Sequence, residues 1–367
     1  MKIGILGTRG IPNRYGGFEQ FAQYLSLGLA KKGHGVFVYN PHDHPFKQIK
    51  WKEVNIIHCK NPENKLGTAG QFIYDKNCIN DARKRNFDVL LHLGYTSDSI
   101  WYKRWPKNSV NIVNMDGLEW KRSKYFFLTK SFLKWAESLA AKHADALIAD
   151  STGIQQYLLN RYKRASAYIP YGAEIFNSPN ETILKKNGLL PHCYSIVVAR
   201  LEPENNIAKI IRGYIATNKR DPLVIVGAPE NKYGKFLFKR YNGTRIKFLD
   251  SIYDQNELNN LRYFSSYYFH GHSVGGTNPS LLEAMGCHCN IVAHDNIFNR
   301  AVLENNADYF TSKEDITAIL NSPTQGNIIS DRKEMNTRKI ISEYNWEKII
   351  DKYEGAMLDV INARNVP

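Results

Sequence analysis

The chain has 367 residues, of which 43% are hydrophobic and 23% are charged. This length exceeds one compact core and suits two α/β domains, and the composition excludes a disordered chain. The formal net charge of +14 indicates an anionic partner: a phosphorylated substrate, an acidic membrane surface or nucleic acid. Because no zinc-finger, RNP or basic-zipper motif is present, nucleic acid is not expected. A basic surface that serves only solubility is the alternative.

The five cysteines are few and odd in number. Cys287 and Cys289 are spaced C-x-C with no second pair nearby, which makes a poor zinc site. We therefore expect reduced, structural cysteines in a cytoplasmic protein. The chain enters a strand directly, and no apolar run reaches the roughly 18 residues of a spanning helix, so any membrane association is expected to be peripheral.

Short apolar runs that alternate with helical segments predict a parallel sheet in the first half of the chain. The run Lys2–Leu6 ends at a glycine-rich loop, and apolar residues then recur at helical spacing from Phe18 to Leu29. This β-α-β opening is typical of a doubly wound sheet. Further strands are predicted at Val36–Tyr39, Asn55–His58, Val89–Leu93, Val110–Asn114, Ala146–Ala149 and Ala167–Ile169.

The same pattern restarts after Tyr171. Strands are predicted at Ser195–Ala199, Leu223–Val226, Tyr267–Gly271, Ile291–Ala293 and Tyr309–Phe310. The predicted fold class is therefore α/β, with Rossmann-like domains over 1–170 and 171–343 and a last helix over 344–367 that returns to the first domain. Both sheets are expected to direct the carboxyl ends of their strands into a central cleft, where such sheets bind ligands.

The most specific motif begins after the predicted strand Tyr267–Gly271. Gly275 and Gly276 lie in a loop, Asn278 can cap the helix that follows, and Pro279 fits its first position. Glycines before a helix N-terminus allow backbone N–H groups to approach a phosphate, whose charge the helix dipole favours. A tight turn before an ordinary capped helix is the alternative.

Glu283 lies one turn into that helix, where a carboxylate can accept hydrogen bonds from a ribose diol. The alternative for Glu283 is a surface ion pair. The run Ser280–Gly286 closely resembles the donor-site helix of retaining glycosyltransferase family 4, whose members have the two-domain GT-B fold and need no metal. The family signature has two glutamates: Glu283 matches the second, but Gly275 replaces the first, which contacts the donor sugar.

The resemblance extends to the segment after the predicted strand Ser195–Ala199. Arg200 matches the family arginine that holds the donor diphosphate, a role suited to a bidentate guanidinium. Asn205 stands where the family has a lysine. An exposed strand-end charge is the alternative for Arg200. The donor-binding residues implied by the resemblance are Gly16, Gly17, Arg200, Gly275, Gly276, Thr277, Asn278, Ser280 and Glu283.

The loop Gly7–Glu19 lacks the G-x-G-x-x-G pattern, so NAD is not expected. Its Gly16-Gly17 pair resembles the family loop that faces the donor phosphates and acceptor, with Tyr15 as an acceptor-binding candidate. A plain flexible loop is the alternative.

Two polar residues follow the predicted strand Val110–Asn114. Many family members have a histidine at the position of Asp116, where it touches the donor sugar. Asp116 is therefore a candidate for binding a hydroxyl of the sugar or of the acceptor, and Glu119 is a second acceptor-binding candidate. A helix N-cap is the alternative for Asp116. His92 is interpreted as a hydrogen-bonded strand-end residue and not as a catalyst.

The motifs together resemble a narrower branch, the rhamnosyltransferase-like enzymes of bacterial capsule and surface polysaccharide synthesis. The resemblance implies transfer of rhamnose from dTDP-rhamnose to a lipid-linked saccharide with retention of configuration, without metal or cofactor, through the catalytic residues Asp116, Arg200 and Glu283. A UDP- or GDP-sugar transferase, a GT-B epimerase and a catalytically silent nucleotide-sugar-binding subunit are the alternatives.

The segment 120–143 interleaves basic and aromatic residues, a composition that suits docking on an anionic bilayer. An ordinary helix with an apolar stripe and a solvated basic face is the alternative.

Overall fold

The computed structural model describes residues 1–14, 16–122 and 125–365, and these form two compact units. The first comprises Met1–Lys121, Tyr125–Tyr171 and the C-terminal residues from Trp346. The second comprises Arg122 and Gly172–Asn345. No helix in the described part of the chain is both long and apolar enough to cross a bilayer.

The sheet of the first unit has the order β3-β4-β2-β1-β5-β6-β7-β8 among the described residues, and only the β3–β4 pair is antiparallel. Its central strands are buried on both faces, which explains why they are continuous apolar runs in the sequence. The strands are β1 (Lys2–Leu6), β2 (Gly35–Pro41), β3 (Lys50–Trp51), β4 (Val54–Cys59), β5 (Val89–Leu93), β6 (Val110–Asn114), β7 (Ala146–Ala149) and β8 (Ala167–Tyr168).

Helices connect these parallel strands. They are α1 (Gly17–Lys31), α2 (Glu63–Leu66), α3 (Thr68–Ala82), α4 (Phe127–His143) and α5 (Thr152–Tyr162). α1 shows why the apolar spacing predicts a helix: Phe21, Leu25 and Leu29 lie on one face and are fully buried. Short 3₁₀ turns occur at Ser99–Arg104 and Glu119–Lys121.

The second unit has an all-parallel sheet of order β11-β10-β9-β12-β13-β14 within the described residues. The neighbouring strands β9 and β12 contribute Val197 and Phe269 to its buried core. The strands are β9 (Ser195–Val198), β10 (Leu223–Val226), β11 (Ile246–Leu249), β12 (Tyr267–His270), β13 (Ile291–His294) and β14 (Asp308–Phe310). The helices are α6 (Ile207–Ile215), α7 (Lys232–Tyr241), α8 (Gln255–Tyr263), α9 (Pro279–Gly286), α10 (Ile297–Leu303), α11 (Lys313–Asn321) and α12 (Gly326–Glu343).

The last helix, α13 (Trp346–Asn365), packs on α1 within the first unit. The Trp346 ring stacks on Tyr24, with ring centroids 4.5 Å apart and an interplanar angle of 2°. The two helices also approach closely at Gly28 of α1, where a Cβ would lie 2.1 Å from Cδ1 of Ile350, so a side chain at position 28 would clash. Tyr353 adds a buried hydrogen bond, since the Asn114 side-chain amide donates to its hydroxyl at 2.8 Å.

The prediction of parallel α/β sheets is confirmed, and two strands were not predicted. β11 lies at a sheet edge, where Lys247 interrupts the apolar run, and β3 is a two-residue edge strand. Asp254 caps α8 by accepting from the backbone N–H of Glu257 at 2.9 Å. The Glu257 carboxylate instead binds Lys186, so the capping-box pattern forms only in its first half.

Candidate functional site

The turn between β12 and α9 is the centre of the candidate site in the second unit. Asn278 caps α9, because its side-chain oxygen accepts from the backbone N–H of Ser280 at 3.0 Å, and Pro279 occupies the first turn, as the sequence predicts. Gly275 has φ +127°, a conformation that L side chains rarely adopt, although a Cβ there would meet no atom within 4 Å. Glycine is therefore required here by the positive φ of the backbone, and not by a lack of space for a side chain.

Arg200 lies beside this turn in the sheet order. It follows β9, the hydrogen-bonded neighbour of β12, so the carboxyl ends of both strands meet at one edge of the sheet. Arg200 is exposed, and no ion pair to it occurs among the described residues. A guanidinium at that position is available to an anionic ligand.

Asn205, at the position of the family lysine, has a structural role. Its side chain is buried, and its amide donates to the carbonyl of Arg200 at 2.8 Å. Asn206 has φ 52° and donates to the carbonyl of Gly271 at 2.8 Å. A Cβ on Gly271 would lie 2.1 Å from the carbonyl oxygen of Asn205, so this loop and the end of β12 pack without space for a side chain. The two asparagines brace the segment that carries Arg200.

Glu283 forms a buried ion pair with Arg262, at the end of α8. Only 1% of the Arg262 side chain and 11% of the Glu283 side chain are exposed. Gln255 also donates to the carboxylate, at 3.2 Å. Burial opposes the charge on Arg262, but Glu283 together with Tyr268, Cys287 and Cys289 outweighs this effect, and the pKa of the guanidinium is raised. The alternative that Glu283 forms an ion pair is confirmed, but the pair is buried and does not lie on the surface.

Ser280 joins this network instead of remaining open to solvent. Its hydroxyl bonds to the Tyr268 hydroxyl at 2.7 Å and accepts from Arg262 at 3.2 Å. Its backbone N–H is bound to Asn278. Both groups of Ser280 are therefore engaged within the unit, and its contact with a donor stays a prediction, as do the contacts of Gly276 and Thr277.

Arg262 is a site residue that the sequence does not predict. No motif marks it, because the pattern of α8 shows only a polar helix with Leu258 and Leu261 on its buried face. Its guanidinium donates to Asn259 at 3.1 Å as well as to Ser280. A contact between two helices that are distant in sequence cannot be read from either helix alone.

In the first unit, the loop after β1 is held by Glu19. Its carboxylate accepts from the backbone N–H of Arg9 at 2.8 Å and from the hydroxyl of Thr8 at 3.3 Å. Gly16 precedes α1 in an extended conformation and Gly17 is its first, exposed residue. The loop therefore leads directly into the N-terminus of α1 and its backbone N–H groups, as the resemblance implies. Tyr15 lies outside the described residues.

Asp116 follows β6 in a left-handed conformation, with φ 45°. Its backbone N–H donates to the Asn114 side chain at 3.0 Å, and its carboxylate accepts from Tyr171 at 3.5 Å. The alternative that Asp116 is a helix N-cap is wrong, because the next helical turn begins at Glu119. Burial and then the charge of Asp116 raise the pKa of Tyr171 well above its usual range. Glu119 is partly exposed in that turn.

His92 is fully buried at the end of β5, and both ring nitrogens are occupied. Nδ1 lies 2.6 Å from the Asp98 carboxylate, and Nε2 lies 3.3 Å from the Asn111 side-chain oxygen. The interpretation of His92 as a hydrogen-bonded strand-end residue is confirmed.

A cavity of about 420 Å³ lies in the first unit at the carboxyl ends of β1, β2 and β4. It contains both signs of charge, and Arg9 pairs with Glu63 across 2.6 Å. A mixed set of guanidinium, carboxylate and amide groups suits a ligand rich in hydroxyl groups. No sequence motif marks most of the residues that line it, which are Arg9, Arg14, Pro41, Asp43, His44, Pro45, Asn61, Glu63 and Asn64.

All five cysteines are free thiols, and only Cys193 is exposed. Burial raises the pKa of Cys289 to about 12, which suits an inert structural thiol. Residues 1–14, 16–122 and 125–365 hold no group of three or more His, Cys, Asp or Glu side chains arranged for a metal ion.

Residues 1–174 match a domain of unknown function, DUF1972. No curated protein matches the chain. Solved structures similar to it include sucrose-phosphate synthase from Thermosynechococcus elongatus, with TM-score 0.80, 15% identity and 99% of both chains covered. Anabaena HepE in complex with UDP and glucose gives TM-score 0.74 and 16% identity, over 97% of this chain and 99% of HepE. Trehalose-6-phosphate synthase from Burkholderia multivorans gives TM-score 0.73 and 11% identity, over 100% of this chain and 98% of the synthase. The chain therefore has the GT-B fold of these glycosyltransferases.

Proposed function

We propose that the chain is a glycosyltransferase that moves a hexose from a nucleotide-sugar to an acceptor hydroxyl. The observation that carries this proposal is the edge of the second sheet, where Arg200 and the Gly275 turn follow neighbouring strands. An anion placed there meets a guanidinium and the N-terminus of α9. One similar HepE structure contains UDP-glucose, a donor of this class, and another contains UDP and glucose.

In the proposed reaction, the bond between the anomeric carbon and the donor phosphate oxygen breaks. Arg200 and backbone N–H groups of the Gly275 turn stabilise the negative charge of the departing diphosphate. Glu283 holds the ribose, with Arg262 fixing the orientation of its carboxylate. The acceptor oxygen bonds to the anomeric carbon on the same face, and its proton passes to the departing phosphate oxygen. This order of steps retains the anomeric configuration and needs neither a metal ion nor a cofactor.

The first unit is proposed to supply the acceptor side. Gly16 and Gly17 at the start of α1 would face the donor phosphates, and Asp116, Glu119 and Tyr15 would contact the donor sugar or the acceptor. The left-handed Asp116 is already held by Asn114 and Tyr171, which suits a carboxylate with a fixed direction.

The donor is proposed to be dTDP-rhamnose, and the process bacterial surface polysaccharide synthesis. A ligand that binds only the folded state stabilises it by about 2.7 kcal/mol at a hundred times its Kd. At equal concentrations the donor with the lowest Kd stabilises the protein most, so we expect dTDP-rhamnose to raise the melting temperature more than UDP- or GDP-sugars do. The measurement is a thermal melt against a donor panel. A larger shift with a UDP- or GDP-sugar would overturn the rhamnose assignment.

The same donor panel separates the rival functions when it is incubated with and without acceptors. Conversion of the donor sugar without acceptor would identify an epimerase. Binding without hydrolysis or transfer across many acceptors would identify a silent nucleotide-sugar-binding subunit.

The acceptor is proposed to be a lipid-linked saccharide, reached at the inner face of the plasma membrane. The supporting observation is an apolar tip at the start of α4: Phe126, Phe127 and Leu128 are 85%, 80% and 80% exposed. Lys130 and Lys134 follow on the same helix, and Nζ of Lys134 lies 4.3 Å from the centroid of the Trp120 ring. Exposed aromatic residues beside lysines match the chemistry of an anionic bilayer surface. The opposite face of α4 is an ordinary buried stripe.

Replacing both Phe126 and Phe127 by serine is expected to reduce binding to anionic lipid vesicles at least tenfold. Burial of one phenylalanine contributes about 1.5–3 kcal/mol, and a tenfold change requires only 1.4 kcal/mol. Co-sedimentation with phosphatidylserine-containing vesicles measures this effect. Phe236→Ser, at a half-exposed position on α7, is the control. Equal sedimentation of the double variant and the unaltered protein would contradict the proposal.

A further inference from the structure

His272 lies two residues after β12, directly before the Gly275 turn. Its carbonyl accepts from the side-chain amides of Asn296 at 3.0 Å and Asn299 at 3.1 Å. The next residue, Ser273, donates through both its N–H and its hydroxyl to the carbonyl of Glu204. The backbone that carries the His272 ring is therefore fixed from two sides.

The rings of His270 and His272 stack, with centroids 4.4 Å apart and an interplanar angle of 16°. His270 is fully buried, and neither of its ring nitrogens has a hydrogen-bond partner among the described residues. Nδ1 of His272 is also buried without a partner in that part of the chain. Unsatisfied buried polar atoms cost about 1–3 kcal/mol each. Two such imidazoles beside a candidate ligand site indicate a role that packing alone does not explain.

His272 is a partly exposed residue, and its imidazole is uncharged at neutral pH. Burial, followed by the positive charge of Arg200, lowers its pKa to about 3. His272 follows β12 and Arg200 follows its hydrogen-bonded neighbour β9, so both residues lie at the same edge of the sheet. A neutral imidazole retains one N–H donor and does not repel the arginine. The pair can therefore bind one anion together.

We infer that His272 is a further donor-binding residue, which donates its ring N–H to a phosphate oxygen of a nucleoside diphosphate. His270 is a positioning residue that holds the ring by stacking. This inference rests on the proposed function, because it deepens the description of the same site. It assigns a phosphate contact to a residue for which the resemblance implies no role.

The test uses the full chain and direct binding of UDP and dTDP by calorimetry. His272→Phe keeps a stacking ring but removes both nitrogens, so its Kd for the preferred nucleotide is expected to rise about 10- to 100-fold. His270→Phe also keeps the stack and is expected to lose less affinity than His272→Phe. His143→Phe is the matched control, because it replaces an imidazole that stacks on Tyr102 in the first unit, and it is expected to leave the Kd unchanged. His272→Gln restores an N–H donor and is expected to recover part of the affinity. Uridine and thymidine, which lack phosphate, are expected to bind all variants equally.

Different outcomes overturn different parts. If the unaltered protein binds a nucleotide and His272→Phe binds it equally well, the inference is wrong. Equal losses in His270→Phe and His272→Phe, or an equal loss for the nucleoside, would show that the stack is only structural and would also overturn it. If the unaltered protein binds neither nucleotide, the proposed function fails and the inference fails with it. Thermal melts of each variant establish that the fold is intact.

Discussion

Arg200→Ala is expected to lower kcat with the preferred donor about 10²- to 10³-fold, the usual cost of losing one group that stabilises charge in a transition state. The side chain is exposed, so its removal should leave the melting temperature unchanged. The loss would therefore be kinetic. Steady-state turnover of the nucleotide-sugar, with the acceptor held constant, measures it.

Two matched variants sharpen the test of Arg200. Arg200→Lys keeps the charge but loses the planar fork, so an intermediate rate is expected. Arg240→Ala removes another exposed arginine, on α7 of the same unit, and is expected to leave turnover unchanged. Undiminished turnover of the preferred donor in Arg200→Ala would show that the donor diphosphate lies elsewhere.

The fold was predictable because buried parallel strands are short apolar runs. Ile3, Ile5 and Leu6 in β1 are wholly inaccessible, and the same holds for the core of β10. β11 was not predicted because it is an edge strand, which is less buried and therefore need not be a continuous apolar run. Lys247 interrupts its apolar pattern and donates to the carbonyl of Asn187.

The parts of the site that were predictable are local in sequence. Asn278 and Pro279 specify the start of α9 through contacts within three residues, and the structure places both as predicted. The N-cap reading of Asp116 was wrong because a left-handed residue there delays the next helical turn to Glu119. Aspartate is one of the few residue types besides glycine that adopt this conformation readily, so the Asp116-Gly117 pair was a signal for a turn.

The missed residues act over long separations in the chain. Glu19 accepts from the loop ten residues before it, and Arg262 reaches Glu283 from another helix. Asn205 departs from the family lysine, and only its contact with the Arg200 carbonyl shows that the residue supports the loop. Such roles depend on packing, which a motif does not encode.

Arg262→Met is expected to destabilise the second unit by about 3–5 kcal/mol, because it leaves the Glu283 carboxylate buried without its counter-ion. Each of the three polar partners of the guanidinium, Asn259, Ser280 and Glu283, would also lose a donor. Hydrogen exchange of peptides from α8 and α9 measures the loss locally. Peptides from β1 and β5 in the first unit serve as internal references.

The exposed pair Arg338–Glu334 on α12 provides the matched control, since its side chains are 69% and 62% exposed. Arg338→Met should cost at most about 1 kcal/mol, because water already solvates both charges. The double variant Arg262→Met with Glu283→Gln removes both buried charges and should be less destabilised than Arg262→Met alone. Equal protection of α8 and α9 in Arg262→Met and Arg338→Met would mean that burial does not strengthen the Arg262–Glu283 pair. The carboxylate proposed to hold the ribose would then be oriented by other contacts, and Arg262 would have no part in positioning it.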